Sequence, residues 1–252
     1  MASSSVYTVL LWVVFAVSLP IAGLLLFVSA PYGRHLRSGW GPTVPAKLGW
    51  LVMELPSVFA FAVFFFAGRH ALTWAPLVLF GVWQLHYVHR TLIYPFRMRS
   101  SGKRMPLSVV SMALMFTLVN GYVNGHWVGE LGSYPTSWLW DPRMLAGCVL
   151  FVVGFVTNVR ADSRLFRLRA PGEQGYKLPR GGLHELVSCP NYFGEILEWC
   201  GWALATWSLA GLSFAVFTLA NLVPRALTHH RWYQEEFEDF PSSRKAIFPF
   251  LL

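Results

Sequence analysis

Hydrophobic residues in this chain fall into long apolar runs separated by short polar stretches, the pattern of a polypeptide that crosses a bilayer repeatedly. The runs cover Val6–Val28, Lys47–Gly68, Ala71 to about Tyr94, Met105 to about Val128 and Leu145–Val159. A further run, Trp199–Pro224, contains no charged residue at all. Because about 20 residues suffice to span the hydrocarbon core, the sequence Ser208-Leu-Ala-Gly211 is read as a tight turn that divides this last run into two helices.

Charge sidedness supports the division. With seven spans and the N-terminus outside, 18 of the 20 Lys and Arg residues collect on one side, leaving only Arg69 and Arg143 on the other. Basic residues gather on the cytoplasmic side of membrane proteins. Six spans would strand the four basic residues of the tail. The expected fold is therefore all-α: a multi-pass transmembrane helix bundle of seven helices, with the C-terminus cytosolic.

Composition agrees. The chain is 55% hydrophobic and 13% charged, whereas a soluble domain carries about a quarter charged residues. Disordered and coiled-coil chains are excluded. The net charge of +8 is read first as a topology signal and not as a nucleic-acid surface. Cys148, Cys189 and Cys200 form no CxxC pair, so neither a disulfide framework nor a zinc site is expected. Met1 to Gly33 carries no charge and lacks the positive n-region of a cleavable signal.

Polar residues inside apolar runs are costly and mark function. Glu54 lies in Leu51-Val-Met-Glu-Leu-Pro-Ser57, and suits a carboxylate that holds a hydrogen-bond donor in a pocket. The third run ends in Leu85-His-Tyr-Val-His-Arg-Thr91, where His86, His89 and Arg90 share a helix face and Tyr87 points about 100° away from His86. Two histidines could begin a metal site, but no further ligand is signalled and no metal is expected. From Asn158 onward, Asp162, Arg169, Tyr176, a Gly181-Gly182 turn and Asn191 suit a pyrophosphate and ribose, because arginine forks and backbone amides bind phosphate. Glu195 and Glu198 sit in the next apolar run. In the tail, Arg225, His229 and Tyr233 recur one turn apart, and its aromatics suggest that it folds back on the bundle. There is no Rossmann or Walker glycine motif. Spacing alone thus leads to a membrane-embedded site for an apolar molecule facing a cytoplasmic site for an anionic one.

Several segments in one order resemble the steroid 5α-reductase family: Glu54-Leu-Pro-Ser57, Leu85-His-Tyr-Val-His-Arg-Thr91, Pro171-Gly-Glu173 with Gly181-Gly-Leu183, Asn191-Tyr-Phe-Gly-Glu195, Ala203-Leu-Ala-Thr-Trp-Ser208 and Phe237-Glu-Asp-Phe-Pro-Ser-Ser-Arg-Lys-Ala246. The resemblance implies one integral membrane reductase domain over 1–252. Its first span and loop, 1–46, are variable, and its core, 47–252, carries cofactor loops at 160–190 and 225–252. It further implies NADPH-dependent reduction of the Δ4 double bond of 3-oxo steroids. Tyr87 would donate to the C3 carbonyl oxygen and Glu54 would orient it. NADPH would contact Asn158, Asp162, Arg169, Tyr176, Asn191, Glu195, Arg225, His229 and Tyr233. Met53, where the animal enzymes place Gln, and Glu198 would line the substrate pocket. The partners implied are a steroid or other apolar enone and the lipid bilayer, for a monomer in the endoplasmic reticulum of a eukaryote or the inner membrane of a bacterium. The competing readings are a sterol or trans-2-enoyl-CoA reductase, an isoprenylcysteine methyltransferase, and a non-catalytic lipid-binding or transport protein.

Overall fold

The computed structural model describes residues 2–98, 102–168, 173 and 175–252. Seven long helices run through the described residues: α1 Ala2–Phe27, α2 Ala46–Phe66, α3 Trp74–Val88, α4 Leu107–His126, α5 Pro142–Arg167, α6 Pro190–Thr206 and α7 Leu209–Glu236. Five of them (α1, α2, α4, α5 and α7) are long and apolar enough to cross a bilayer. The chain is a multi-pass helical membrane protein. At 15 and 17 residues, α3 and α6 are shorter. A wide π-type turn over His89–Ile93, in which Tyr94 N–H reaches back to the His89 carbonyl, carries α3 on to Arg97.

The expected division of the last apolar run is present, slightly earlier than read. Trp207 adopts the left-handed conformation (φ 43°, ψ 49°), and Ser208 caps α7 by accepting a hydrogen bond from Gly211 N–H at 2.9 Å. A Ser N-cap satisfies one of the four free amides at a helix start. The apolar run ends at Pro224, but α7 continues to Glu236 through this proline. Leu222 and Ala226 on either side of it pack with Cys189, Ile196 and Ile247, and this burial outweighs the hydrogen bond that proline removes. Much of the expected loop 225–252 is thus helix.

The chain is not purely helical either. Thr43–Pro45 pairs antiparallel with Arg104–Pro106, clipping the chain before α2 to the chain before α4. The C-terminal segment folds back as anticipated: Ser188 N–H donates to the Lys245 carbonyl at 2.8 Å and Cys189 N–H to the Ala246 carbonyl at 3.1 Å.

Close packing of α5 on α6 sets the position of the polar residues. Gly147 and Gly154 face Gly201 and Gly194, and a Cβ on any of the four would collide with the opposing backbone. Small residues let membrane helices approach this closely. Aromatic rings fill the centre, where Phe61, Trp83, Trp199 and Trp202 are fully or almost fully buried.

Candidate functional site

All the chemistry-bearing residues gather at one end of the bundle, where α3, α5 and α7 finish and α2 and α6 begin. Tyr87, in the last turn of α3, is buried in a cage of rings, 4.8 Å from Trp83 and 5.5 Å from Trp199 between centroids. Glu54, on the facing turn of α2, and the Ser57 hydroxyl are within electrostatic reach of its phenol. Both helices are stitched together there. Trp83 Nε1 donates to the Ser57 carbonyl at 2.8 Å, and Gln84 Nε2 to the Val58 carbonyl at 3.0 Å. A phenol held in an apolar cage is a hydrogen-bond donor poised for an oxygen that no water competes for.

Arg90 joins this pair to the second polar cluster. Its guanidinium lies over the rings of Trp50 (4.7 Å) and Tyr94 (4.5 Å), and is 3.7 Å from both Asp162 and Glu195. Asp162 accepts a hydrogen bond from Asn191 Nδ2 at 3.0 Å, and Asn158 Nδ2 donates to the Asn191 carbonyl at 3.0 Å and to Glu195 at 3.4 Å. Four residues singled out in the sequence therefore form one network across the α5–α6 seam, completed by an arginine that lies on the face shared with His86 and His89.

The third cluster lies on α7. Arg225 Nη2 donates to the Tyr192 hydroxyl at 2.9 Å, and His229 lies 3.3 Å from the same hydroxyl. Arg225 and His229 therefore do share a face. Tyr233 accepts a hydrogen bond from Arg34 at 3.4 Å, and Arg34 also lies 4.2 Å over the Trp232 ring, which Tyr176 meets edge-on at 4.9 Å. Arg169, and Pro171 and Gly172 of the expected helix break, lie outside the described residues.

Two expected pocket residues are placed differently from their neighbours in sequence. Met53 packs with Trp50, Met105 and Val110. Glu198 is fully buried and makes a 2.7 Å hydrogen bond with His86 Nδ1. The residues that sequence reading missed are Tyr32, Arg34 and His35. Together with Ala30, Tyr32 and His35 line a cleft with Arg225, Thr228 and His229. The available signal was the run Tyr32-Gly-Arg-His-Leu-Arg37 directly after the first span, read only as loop charge. Burial, helped by Arg34, Arg225 and Arg37, holds the His35 imidazole below its ordinary pKa, so it is neutral at physiological pH. A cleft walled by the half-buried Arg225, a ring face and two imidazoles is suited to a phosphorylated ligand.

The sequence is similar to that of known proteins. Residues 103–252 match the family described as 3-oxo-5-alpha-steroid 4-dehydrogenase. The chain is 47% identical to Steroid 5-alpha-reductase DET2 of Arabidopsis thaliana, over 92% of this chain and 91% of that one. It is also 47% identical to 3-oxo-5-alpha-steroid 4-dehydrogenase 1 of Homo sapiens, over 87% and 85%. With the bovine protein of the same name, identity is 45% over 91% and 90%.

Proposed function

Because the chain belongs to the steroid 5α-reductase family, we propose that it reduces the Δ4 double bond of a 3-oxo-Δ4 steroid to the 5α-dihydro product, with NADPH as reductant. The observation that carries this reading is Arg90, which links the caged Tyr87–Glu54 pair to the Asn158–Asp162–Asn191–Glu195 network. An apolar carbonyl substrate and a polar dinucleotide are thereby served by neighbouring, connected sites.

The Tyr87 phenol donates a hydrogen bond to the C3 oxygen, and the negative charge that builds there during reduction at C5 is stabilised in a water-poor cage. Glu54 fixes the phenol's orientation, and protonation at C4 completes the product. NADPH, when bound, supplies the hydride. Asn158, Asp162, Asn191 and Glu195 would hold its nicotinamide end, while Arg225, His229, Tyr233 and Tyr176 would hold the phosphates and adenosine. The half-buried Arg34 and Arg225, packed against rings, suit the extra phosphate of NADPH over NADH.

In the bilayer, α3 with its extension and α6 add to the five long helices to make seven spans. The N-terminus is then outside and the basic end of the bundle cytosolic, in an endoplasmic reticulum or bacterial inner membrane. The test is NADPH consumption by purified protein with testosterone or progesterone, the product identified by mass. Formation of the 5α-dihydro steroid is expected. Turnover of an enoyl-CoA with no reaction on any 3-keto steroid would overturn the assignment.

A further inference from the structure

The α1–α2 loop makes one polar contact with α7 that the reduction itself does not require. Nε2 of His35 and Nδ1 of His229 lie 3.3 Å apart, and the two rings stack with centroids 5.2 Å apart. His35 also stands between two clefts. One is lined by Tyr32, Arg225, Thr228 and His229, the other by Ser29, Thr228, Arg231, Trp232 and Glu235. Two imidazoles at this distance share one hydrogen bond only when one nitrogen is protonated and the other offers its lone pair.

We infer that His35 and His229 form a proton-sharing pair that receives a phosphate group of the dinucleotide, and that the pair takes up a proton from solvent as the phosphate arrives. This deepens the reading of the site given above and rests on it. Among the described residues, the charged and titratable groups around the pair are Tyr32, Arg34 and Arg37 from its own loop, Arg225, Arg231 and Glu235 from α7, and the Tyr192 hydroxyl from α6. Burial first, then Arg34, Arg225 and Arg37, hold the His35 imidazole below its ordinary pKa while the site is empty. A phosphate reverses the local sign, and an opposite charge within a few ångströms favours the charged imidazole. The pair can accept one proton and not two, because a second would set two cations in ring contact. His35 is therefore a binding residue contributed by the loop between α1 and α2.

Proton linkage is read without any mutant. Adenosine 2′,5′-bisphosphate and NADPH are titrated calorimetrically into the full-length protein in detergent near neutral pH, in PIPES and in Tris, whose ionisation heats differ. Buffer-dependent heat corresponding to net proton uptake is expected, together with a Kd that rises with pH by up to about tenfold per unit for one linked proton. His35→Gln should retain binding of NADPH with a raised Kd and lose the buffer dependence. Tight binding with the same heat in both buffers, or unchanged proton uptake in His35→Gln, would overturn the inference while leaving the cofactor assignment standing. Absence of NADPH binding altogether would overturn both.

Discussion

His86 and Glu198 meet at 2.7 Å in the interior of the bundle, the first 3% exposed and the second fully buried. This bond ties α6 to the turn of α3 that carries Tyr87. Removing one partner of a buried pair leaves the other unsatisfied, at a cost of about 1–3 kcal/mol. Glu198→Ala should therefore lower the thermal midpoint in detergent by several degrees and raise the steroid KM. Glu198→Gln, which keeps a hydrogen bond to His86, should recover most of the stability.

Tyr87→Phe removes a donor without changing the packing among Trp83 and Trp199. Loss of one such donor to a developing oxyanion costs about 100- to 1,000-fold in kcat. Steady-state rates should fall by that factor, with the Kd for NADPH measured by fluorescence unchanged. A loss in cofactor affinity equal to the loss in rate would contradict the assigned role.

Arg90→Lys should behave as a severe substitution. Lysine cannot reach Asp162 and Glu195 together while lying flat between Trp50 and Tyr94, because it lacks the planar fork. Both NADPH affinity and kcat should decline. Arg90→Ala should in addition destabilise the protein by about 3 kcal/mol, since the buried Asp162 and the half-buried Glu195 lose their counter-ion. Denaturation and NADPH titration of the same preparations separate the two effects.

Gly154→Ala places a methyl against the backbone of Gly194 and Glu198. The helices must separate, at about 1–3 kcal/mol for an overpacked contact. That separation also draws Asn158 and Asp162 away from Asn191 and Glu195. Weakened NADPH binding, measured by titration, is expected alongside the lowered thermal midpoint.

His184, in the Gly182–Glu185 turn, is buried, and desolvation followed by Arg244 and Arg164 holds its pKa down to about 4. An unfolded histidine titrates near 6.5. Above that value neither state binds the proton and stability is unaffected. As pH falls from about 6.5 toward about 4, the unfolded chain takes up a proton that the folded chain refuses, so stability declines. Thermal midpoints measured across this range should slope in the wild type and flatten in His184→Gln.

Much of this site was readable before any coordinates. Glu54, Tyr87, Asn158 and Glu195 stood out because an apolar helix has no other use for them, and Ser208 with Gly211 marked a cap. Arg90 was visible as a charge, but its role depends on two acids 72 and 105 residues away in a chain that only packing brings together. Tyr32 and His35 were hidden for a different reason. Positive-inside sidedness already explained the arginines around them, which left no residual signal to interpret. The helix end was not legible because the uncharged run stops at Arg225, while packing of Leu222 and Ala226 carries α7 on to Glu236.

The two-residue link between α6 and α7 has a metric consequence. From Trp207 the chain runs back to Asn191 along α6 and forward to Arg225 along α7, and at 1.5 Å per residue both arms are about 25 Å long. Equal arms bring Tyr192 level with Arg225, where their hydrogen bond forms. The alignment of the anion-binding residues is thus measured out by two rods from a common pivot on the far side of the bundle. A single inserted residue in either arm would turn every group beyond it through about 100°, so the spacing of polar residues along these helices is itself part of the site.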